Sequence, residues 1–443
     1  MRVALLFLVG LMLAFTTPAL AADPSGGRTT AETRHDTVEA LEPVLRAWYA
    51  FPQAIDPIMT ALRDHLARGD YAALDRPEAF AAALSADLVR ASGDLHFSIG
   101  YDPDWVTAAR AAAAQATAVK TFEDAVERPL NYGFQSVALL EGNVGYVRLD
   151  HFSDPGLGYE TATAAMRFVE NADALIFDMR YNGGGSLEMA QLIASYLFSG
   201  DKDVELFHYF YNGDDGRIER GQWVLAALPG KRLPDVPVYV LTGTTSFSAA
   251  EWFSYTLGKQ GRATLVGQVT AGGAHPVDRK PVNDAYFIQV PIGQIREPLT
   301  GTDFETVGVQ PDRVTPSYQA LDVAHELALE QLASRSPGSD AAWFLPVVKA
   351  RLSPATDYTA LYRRAAGAYE GRQLVIENDA LIYHWRDRFS LRLEPLGDDL
   401  FAVEGTSDYR FHLVSGDGGV VALERIDRDG ARRLYPRLDQ DLP

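Results

Sequence analysis

The sequence predicts an α/β core that lies between a helical N-terminal domain and a small antiparallel β C-terminal domain. Three patterns in the 443 residues support this prediction. Apolar residues recur at helical spacing between residues 30 and 95, short buried strands alternate with amphipathic helices in the middle, and apolar and polar residues alternate near the C-terminus. Because helices of this length join successive strands, we expect a mainly parallel core sheet with crossover helices.

The first 22 residues have the features of a secretory signal. A positively charged start precedes an apolar stretch, and the small residues Ala19 and Ala21 follow in the A-x-A spacing of a cleavage site. We therefore expect residues 1–22 to be a signal peptide that is cleaved near Ala21 or Ala22. The mature protein would then be exported to the periplasm or the extracellular space, without a membrane span. A retained N-terminal anchor is the alternative.

The composition excludes several kinds of site and partner. The formal net charge is −19, which argues against a nucleic-acid partner because phosphate binding needs a basic surface. The chain contains no cysteine, so disulfides, thiolate metal sites and cysteine nucleophiles are excluded. No two histidines have metal-ligand spacing on one helix and no H-E-x-x-H motif occurs, so we expect neither a metal nor another cofactor.

Residues 23–100 are predicted to form the helical N-terminal domain. Its first helix starts with a capping-box pattern, Thr29 followed three residues later by Glu32. The domain ends at Asp94-Leu95-His96-Phe97-Ser98, where helical spacing changes to the alternation of a strand. His96 therefore lies at a helix-to-strand corner, where a lone histidine is more often structural than catalytic.

The α/β core is predicted over residues 101–333. An Ala-rich helical stretch at 103–130 and two strands precede three short buried strands, which start at residues 174, 238 and 264. The first of these strands is followed by Arg180-Tyr181-Asn182-Gly183-Gly184-Gly185-Ser186, directly before a helix. Glycines at such a junction let backbone N–H groups approach a phosphate or an oxyanion. The turn lacks the P-loop and dinucleotide-fold patterns, and a plain flexible turn is the alternative.

Residues 239–257 contain a strand, a short Gly/Thr/Ser turn and a helix, with Ser248 where the helix begins. Ser248 is a candidate nucleophile, since the free N–H groups and positive dipole end of a helix would stabilise its alkoxide or the oxyanion formed by its attack. The alternative is that Ser248 only caps the helix, because serine is a preferred N-cap residue. Ser246 is the competing nucleophile, and the S-x-x-E spacing to Glu251 favours Ser248.

Two later loops of the core carry further candidates. A second glycine-rich loop, residues 267–275, ends in His275, and Glu305 lies beside a turn. An isolated glutamate in such a loop is usually solvated. The last core helix is predicted over residues 317–333, with His325 on its surface.

The C-terminal part of the chain is predicted to hold two segments. Residues 334–366 contain a linker and a helix, and residues 367–443 form the antiparallel β domain, because alternating strands are separated there by Asn-Asp and Gly-Asp turns. We find no chemistry-bearing cluster in this domain.

Four motifs together resemble the family of serine peptidases that includes tail-specific proteases, the tricorn protease core and the interphotoreceptor retinoid-binding protein repeats. They are D-x-R-x-N-G-G-G at 178–185, T-S-F-S-A-A-E at 245–251, G-R-A-T-L-V-G at 261–267 and E-x-x-G-V-x-P-D at 305–312. The motifs occur in the family's order. The resemblance implies a ClpP/crotonase-like α/β core and a serine-type peptidase activity.

The positions at which this chain departs from the family pattern indicate which branch of the family it resembles. Tail-specific proteases with a Ser-Lys dyad carry a lysine where this chain has Gly273, so the dyad is excluded at that position. Tricorn-like members use an upstream histidine and a glutamate near the end of the core, which match His96 and Glu305. No segment after His96 looks like the PDZ module of tail-specific proteases. The resemblance is therefore closest to the PDZ-less branch of retinoid-binding-protein repeats and tricorn-like enzymes.

The resemblance implies a Ser-His-Glu mechanism. Ser248 would attack a peptide carbonyl, His96 would take and return the proton, and Glu305 would orient the imidazole. His275 is the competing base, and His151, at a strand end, is a weaker rival that is more often structural.

Backbone N–H groups would hold the oxyanion. We expect Gly184 and Ala249 to supply them, and we expect Gly183, Gly185 and His275 to contact the substrate.

Two functions remain after these arguments. The first is an exported serine endopeptidase that acts on peptides or unfolded proteins. The second is a non-catalytic protein that binds hydrophobic ligands on the same fold, although a pure carrier would not need Ser248, His96 and Glu305. The absence of G-x-S-x-G argues against an ordinary α/β-hydrolase esterase.

Overall fold

The computed structural model describes residues 28–112, 124–213, 216–353, 356–386, 388–397 and 399–438. The predicted signal peptide and the middle of the predicted Ala-rich helix lie outside the described residues. The chain forms two compact units. The smaller unit takes in the chain up to Ala111 together with Asp278–Val290, and the larger unit takes in Ala112–Val277 and Pro291–Pro443.

Helices make up most of the smaller unit, which confirms the predicted helical N-terminal region. They are Ala31–Trp48, Ile55–Arg68, Pro77–Ser92 and Pro103–Ala112. The predicted apolar stripe of the first helix is fully buried, at Val38, Leu41 and Leu45. Its N-cap is Thr30, whose Oγ1 accepts a hydrogen bond from the Thr33 N–H at 3.1 Å. The helix thus begins one residue later than predicted, and Thr33 rather than Glu32 stands three residues after the N-cap, so the predicted capping box is not the cap that forms.

The smaller unit also contains a small sheet built from distant parts of the chain. The strand Ser98–Tyr101 pairs antiparallel with Tyr286–Pro291, which lies beside Val277–Pro281 in the sheet. The side chain of Asn283 donates to the Thr37 hydroxyl of the first helix at 2.9 Å. Residues 278–290 therefore complete a unit that the N-terminal sequence begins.

A six-stranded mixed sheet forms the centre of the larger unit. In spatial order its strands are Arg313–Val314, Thr264–Gly267, Val238–Thr242, Ala174–Asp178, Val144–Leu149 and Phe134–Leu140. All neighbouring strands run parallel except the last two, which form an antiparallel hairpin. This confirms an α/β core with a mainly parallel sheet. Every residue of the two middle strands is buried, as expected for a parallel sheet covered on both faces.

Side chains of the middle strands alternate between two apolar clusters, one on each face of the sheet. Phe177 packs with Phe253 on one face, and Ile176 packs with Ala324 on the other. The helices of this core are Pro155–Phe168, Leu187–Ser195, Ala249–Lys259 and Ala320–Arg335. Because adjacent strands are parallel, the loops that follow them leave the same edge of the sheet. Ligands bind at this edge in open α/β sheets.

A long hairpin lies outside the central sheet and was not predicted. Its strands are Glu205–Gly213 and Gly216–Trp223, and Gly293–Arg296 adds a third antiparallel strand beside the first. The sequence signal was present, because the turn region Asn212-Gly213-Asp214-Asp215-Gly216 is rich in turn-forming residues.

The C-terminal β domain is an eight-stranded antiparallel meander, as predicted. Its strands are Gly367–Tyr369, Arg372–Glu377, Ala380–Trp385, Phe389–Gly397, Leu400–Val403, Thr406–Gly416, Gly419–Asp427 and Arg432–Pro436. Helices Asp340–Leu352 and Thr359–Ala365 precede it. One face of the sheet encloses an apolar cluster that contains Leu381, Leu393, Phe401 and Phe411.

The predicted surface position of His325 is wrong. The residue is 2% exposed, and its Nε2 is 2.8 Å from the Glu141 carbonyl oxygen. The helix that carries it is covered by the sheet and also by helix Asp340–Leu352, so its buried face is wider than the apolar stripe indicates. Burial lowers the pKa of the His325 imidazole. Within the described residues, no helix combines the length and the apolar character needed to cross a membrane.

Candidate active site

Ser248 has a backbone conformation that a simple helix cap does not need. Its φ is 53° and its ψ is −119°, and the helix Ala249–Lys259 follows directly. A typical N-cap residue has extended dihedrals, whereas this region is costly for a residue with a Cβ atom, at about 1–3 kcal/mol. Such strain persists only where the surroundings enforce it, and it is concentrated at functional sites. The sharp turn places Ser248 at the junction of strand and helix.

Three hydrogen bonds hold the turn that precedes Ser248. The Thr245 hydroxyl donates to the Arg180 carbonyl oxygen at 2.7 Å, and the Phe247 N–H donates to the Asn182 carbonyl oxygen at 3.0 Å. The Ser246 hydroxyl donates to the Met179 carbonyl oxygen at 2.6 Å and is fully buried. Ser246 therefore fixes the turn, which argues against its role as the competing nucleophile.

The D-x-R motif fixes the partner loop of this turn. Arg180 donates from Nε and Nη2 to the two carboxylate oxygens of Asp178, at 2.8 and 2.6 Å. The Tyr146 hydroxyl donates to the same carboxylate at 2.7 Å. Asp178 is fully buried, so a bidentate partner is needed to compensate its charge. The ion pair sets the backbone of residues 179–182, to which the turn before Ser248 is hydrogen-bonded.

Glu251 links the turn of Ser248 to the loop that carries His275. Its fully buried carboxylate accepts hydrogen bonds from the N–H of Ser248 at 2.9 Å, from the Thr270 hydroxyl, and from the N–H groups of Gly272 and Gly273 at 2.6 and 2.8 Å. Burial raises the pKa of the Glu251 carboxyl, although the four donors act in the opposite direction. The S-x-x-E spacing was visible in the sequence, but the contacts with residues 270–273 were not.

The glycine turn lies directly against Ser248. A Cβ atom added to Gly184 would lie 2.8 Å from the Ser248 Cβ, and the φ of Gly184 is 105°. Both the space and the dihedral angle therefore require glycine at this position. The N–H of Gly184 donates to the Asn182 Oδ1 at 2.8 Å. An oxyanion would have to share this donor with Asn182.

A cavity of about 220 Å³ opens beside Ser248. Ser248, Ala249, Gly185 and His275 contribute to its wall. Its apolar lining consists of Leu187, Tyr209, Ala274, Pro276, Val277, Ile295 and Phe304. Ala249 is the first residue of its helix, where backbone N–H groups have no partner within the helix. The larger unit thus presents a hydroxyl, a helix N-terminus and a histidine on one apolar cavity.

Glu305 lies next to His275 in the larger unit. The distance from Glu305 Oε2 to His275 Nδ1 is 3.6 Å, and the same oxygen accepts a hydrogen bond from the Ala274 N–H at 2.5 Å. Both side chains are largely buried, at 10% and 14% exposure. Within the larger unit, the histidine beside Glu305 is therefore His275, which was predicted to contact substrate or to compete as base. The predicted pairing of Glu305 with His96 stays a prediction.

His96 and His151 lie elsewhere in the sequence and have acidic neighbours. His96 belongs to the smaller unit, is 3% exposed, and has its Nδ1 3.6 Å from Asp94 Oδ1. It follows the helix Pro77–Ser92 and precedes the strand Ser98–Tyr101, as predicted. His151 Nε2 is 2.6 Å from Glu127 Oε2, a contact that suits the structural role expected for it.

Two family matches cover the parts of the chain that carry these residues. Residues 143–315 match peptidase family S41, and residues 29–133 match the N-terminal domain of Peptidase_S41 in eukaryotic IRBP. Together the two matches span more than half of the chain. The chain belongs to peptidase family S41.

The S41 assignment confirms the resemblance given by the four motifs, all of which lie within residues 143–315. His96 lies within the second match. The chain is similar to the carboxyl-terminal-processing protease of Picosynechococcus sp., with 29% identity over 39% of each chain. It is also similar to the carboxyl-terminal-processing protease of Synechocystis sp., with 29% identity over 43% of this chain and 44% of the relative. The chain therefore spans less than half the length of these relatives.

Among solved structures, this S41 chain is similar to a lipoprotein from Streptococcus agalactiae. The TM-score is 0.46 and the identity is 14%, over 67% of this chain and 96% of the other.

Proposed function

We propose that this S41 chain is an exported serine endopeptidase that hydrolyses peptides or unfolded proteins through an acyl-enzyme. The observation that carries the proposal is the strained Ser248 at a helix N-terminus, on a cavity that also holds a histidine. Ser248 attacks the scissile carbonyl, and the acyl-enzyme that forms is then hydrolysed by water. The apolar wall of the cavity favours an apolar substrate side chain next to the cleaved bond.

The developing oxyanion is assigned to backbone donors on both sides of Ser248. Ala249 supplies an N–H group at the start of the helix, and the glycine turn supplies the second donor. Gly184 is the proposed second donor. Because its N–H already donates to Asn182 Oδ1, substrate binding has to displace or share that hydrogen bond. Gly183 and Gly185 flank it and are proposed to contact the substrate backbone.

Two histidines compete for the role of general base. The family resemblance supports His96 with Glu305 as the orienting carboxylate, which is the assignment we propose. The position of His275 on the cavity, 3.6 Å from Glu305, supports His275 as the alternative. Under the first assignment His275 contacts the substrate. The two assignments predict different losses of rate in single variants.

The test is mass spectrometry of an unfolded protein and a peptide mixture incubated with the chain and its variants. We expect Ser248→Ala to lower kcat by about 10⁴-fold or more, as for other serine nucleophiles, without loss of fold. Ser254→Ala on the same helix is the matched control, because its hydroxyl only donates to the Ala250 carbonyl oxygen. We expect it to keep its activity. Equal cleavage by the wild type and Ser248→Ala would exclude the mechanism.

The same assay separates the two histidines. Loss of a general base costs about 10²–10⁴-fold in rate, whereas loss of a substrate contact raises KM. We expect the large loss of kcat in His96→Ala and a smaller effect in His275→Ala. The reverse pattern would assign the base to His275.

The alternative, a carrier of hydrophobic ligands, predicts no fragments from any folded variant. Uptake of an apolar fluorescent probe by both the wild type and Ser248→Ala, without cleavage of any substrate, would favour it.

A further inference from the structure

A second and larger cavity lies far from Ser248 in the sequence, between helix Asp340–Leu352 and the C-terminal β domain. Its volume is about 400 Å³, within the range of small-molecule sites. Trp343 and Phe344 of the helix form one wall, and Tyr409 and Arg410 of the strand Thr406–Gly416 form another. All of these residues belong to the larger unit. The peptidase proposal assigns no role to this cavity.

Arg410 is the unusual residue of this cavity. It is only 6% exposed, and its Nη2 has no hydrogen-bond partner among the described residues. Its guanidinium lies over the Trp343 ring, 4.0 Å from the ring centroid. Burial lowers the pKa of Arg410 to about 10, and no acidic side chain of the described residues raises it. A buried cation without a counter-charge is costly, so such a group normally has a partner.

Other arginines of the same sheet do have carboxylate partners. Arg425 pairs with Asp427 at 2.6 Å, and Arg432 pairs with Glu424 at 3.0 Å. Both are more exposed than Arg410, at 37% and 62% of their side chains. Among the described residues, the sheet therefore leaves the Nη2 of its most buried arginine without a hydrogen-bond partner while it pairs arginines that water already stabilises. This is the reverse of what stability alone favours.

The walls of the cavity restrict the kind of anion that would fit. Glu394 and Glu404 also line it, as does Glu141, which is paired with Arg351, so a doubly charged phosphate would be repelled more than a carboxylate. The rings of Trp343, Phe344 and Tyr409 provide apolar surface beside the guanidinium. A guanidinium matches a carboxylate with two parallel hydrogen bonds.

We propose that this cavity is a binding site for an apolar monocarboxylate, with Arg410 as the carboxylate receptor and Trp343 and Tyr409 as the apolar wall. A free small carboxylic acid and the C-terminal residue of a peptide both present this chemistry. The inference does not depend on the peptidase mechanism, because it uses none of the residues near Ser248.

The test is calorimetric titration of the full chain carrying Ser248→Ala, which prevents turnover. N-acetyl-L-leucine and N-acetyl-L-leucinamide form the first probe pair, since they differ only in the charged group. A tetrapeptide with a free C-terminal leucine and its amidated form are the second pair, and they distinguish a peptide end from a small acid. We expect each acid to bind at least about tenfold more tightly than its amide. Inorganic phosphate is expected to bind more weakly than N-acetyl-L-leucine.

Two variants test whether Arg410 binds the carboxylate of the probe. Arg410→Gln should weaken acid binding at least about tenfold. Arg425→Gln is the matched control, because Arg425 lies on the adjacent strand, contacts Tyr409 and has its own partner, Asp427. We expect it to bind like the parent. Equal binding of acids and amides, or undiminished binding by a folded Arg410→Gln, would overturn the proposal.

Hydrogen exchange localises the bound probe even if Arg410→Gln does not fold. N-acetyl-L-leucine should slow amide exchange in the hairpin of residues 402–410, which the Trp343 Nε1–H holds through a 2.9 Å hydrogen bond to the Ser407 carbonyl oxygen. Slower exchange confined to the residues around Ser248 would place the carboxylate at the other cavity and overturn the proposal. If none of the probes binds, the proposal is also overturned.

Discussion

Glu251 and Arg410 are both charged residues buried in the larger unit, but their surroundings differ. The carboxylate of Glu251 accepts four hydrogen bonds from residues 248–273. The guanidinium of Arg410 has an aromatic ring on one face and an Nη2 atom without a partner among the described residues. The hydrogen-bonding capacity of Glu251 is satisfied within the chain, whereas that of the Arg410 Nη2 is not satisfied among the described residues. A buried group with satisfied hydrogen bonds can organise the backbone around it, whereas the unsatisfied Arg410 Nη2 is the basis of the carboxylate site proposed above.

The same difference distinguishes a residue that positions the backbone, Glu251, from a residue that is proposed to bind a ligand, Arg410. Glu251 accepts a hydrogen bond from the N–H of Ser248, but its carboxylate is fully occupied, so we expect it to influence the proposed reaction only through the backbone. Arg410 still has donors to offer.

The largest effect is expected for Glu251→Ala. The substitution leaves four buried donors without an acceptor, and removal of one side of a buried charged network costs about 3–5 kcal/mol. Urea unfolding measures this loss. We also expect kcat to fall, because Ser248 and the loop at 270–273 lose their common anchor.

Glu251→Gln keeps the shape of the side chain and is the matched variant for that experiment. In Glu251→Gln the amide nitrogen would face hydrogen-bond donors instead of accepting from them. We therefore expect this variant to regain part of the free energy of unfolding that Glu251→Ala loses, and little of the lost kcat. Wild-type stability and kcat in Glu251→Ala would contradict the positioning role of Glu251.

The second effect concerns Arg410→Met, which removes the uncompensated charge and keeps an apolar chain over Trp343. We expect the free energy of unfolding to stay within about 1 kcal/mol of the wild type or to rise, because replacement of buried charges by apolar groups is often neutral or stabilising. Urea unfolding without added carboxylates measures it. A loss as large as that of Glu251→Ala would show that Arg410 is compensated within the chain and would remove the contrast.

The smallest effect is the pH dependence of stability. The pKa of Glu251 is raised in the folded protein above its ordinary value of 4.5, so its titration stabilises the fold below pH 4.5 and this contribution is lost as the pH rises through the folded pKa. Glu251→Gln lacks this contribution, and its cost should therefore be larger in acid than at neutral pH. Arg410 has a folded pKa of about 10 and stays charged below it, so Arg410→Met should show no such trend between pH 4 and 8.

Unfolding curves of the three chains across this pH range check the prediction. A cost of Glu251→Gln that grows with rising pH would mean that the four donors outweigh burial at this carboxyl.

Most of the features that were not predicted from the sequence depend on contacts between distant segments of the chain. The hairpin at 205–223 carried a turn signal and could have been predicted, but Asp278–Val290 in the smaller unit could not, because no local pattern records the partner of a strand. His325 was predicted on the surface because it lies one position off the apolar stripe of its helix, yet helix Asp340–Leu352 covers that helix in addition to the sheet. The cluster at Arg410 was missed for the same reason. Its alternating strand gave no sign that a helix packs on the polar face.

The α/β core, the β domain, the family and the motif that carries Ser248 could be predicted from the amino-acid sequence, because they depend on local periodicity and short spacings. Four features are visible only in the folded chain: the strain at Ser248, the contacts of Glu251 with two loops, the position of Glu305 beside His275, and the burial of Arg410. These properties depend on which distant segments pack together and on how far they exclude water, and a local pattern of residues specifies neither.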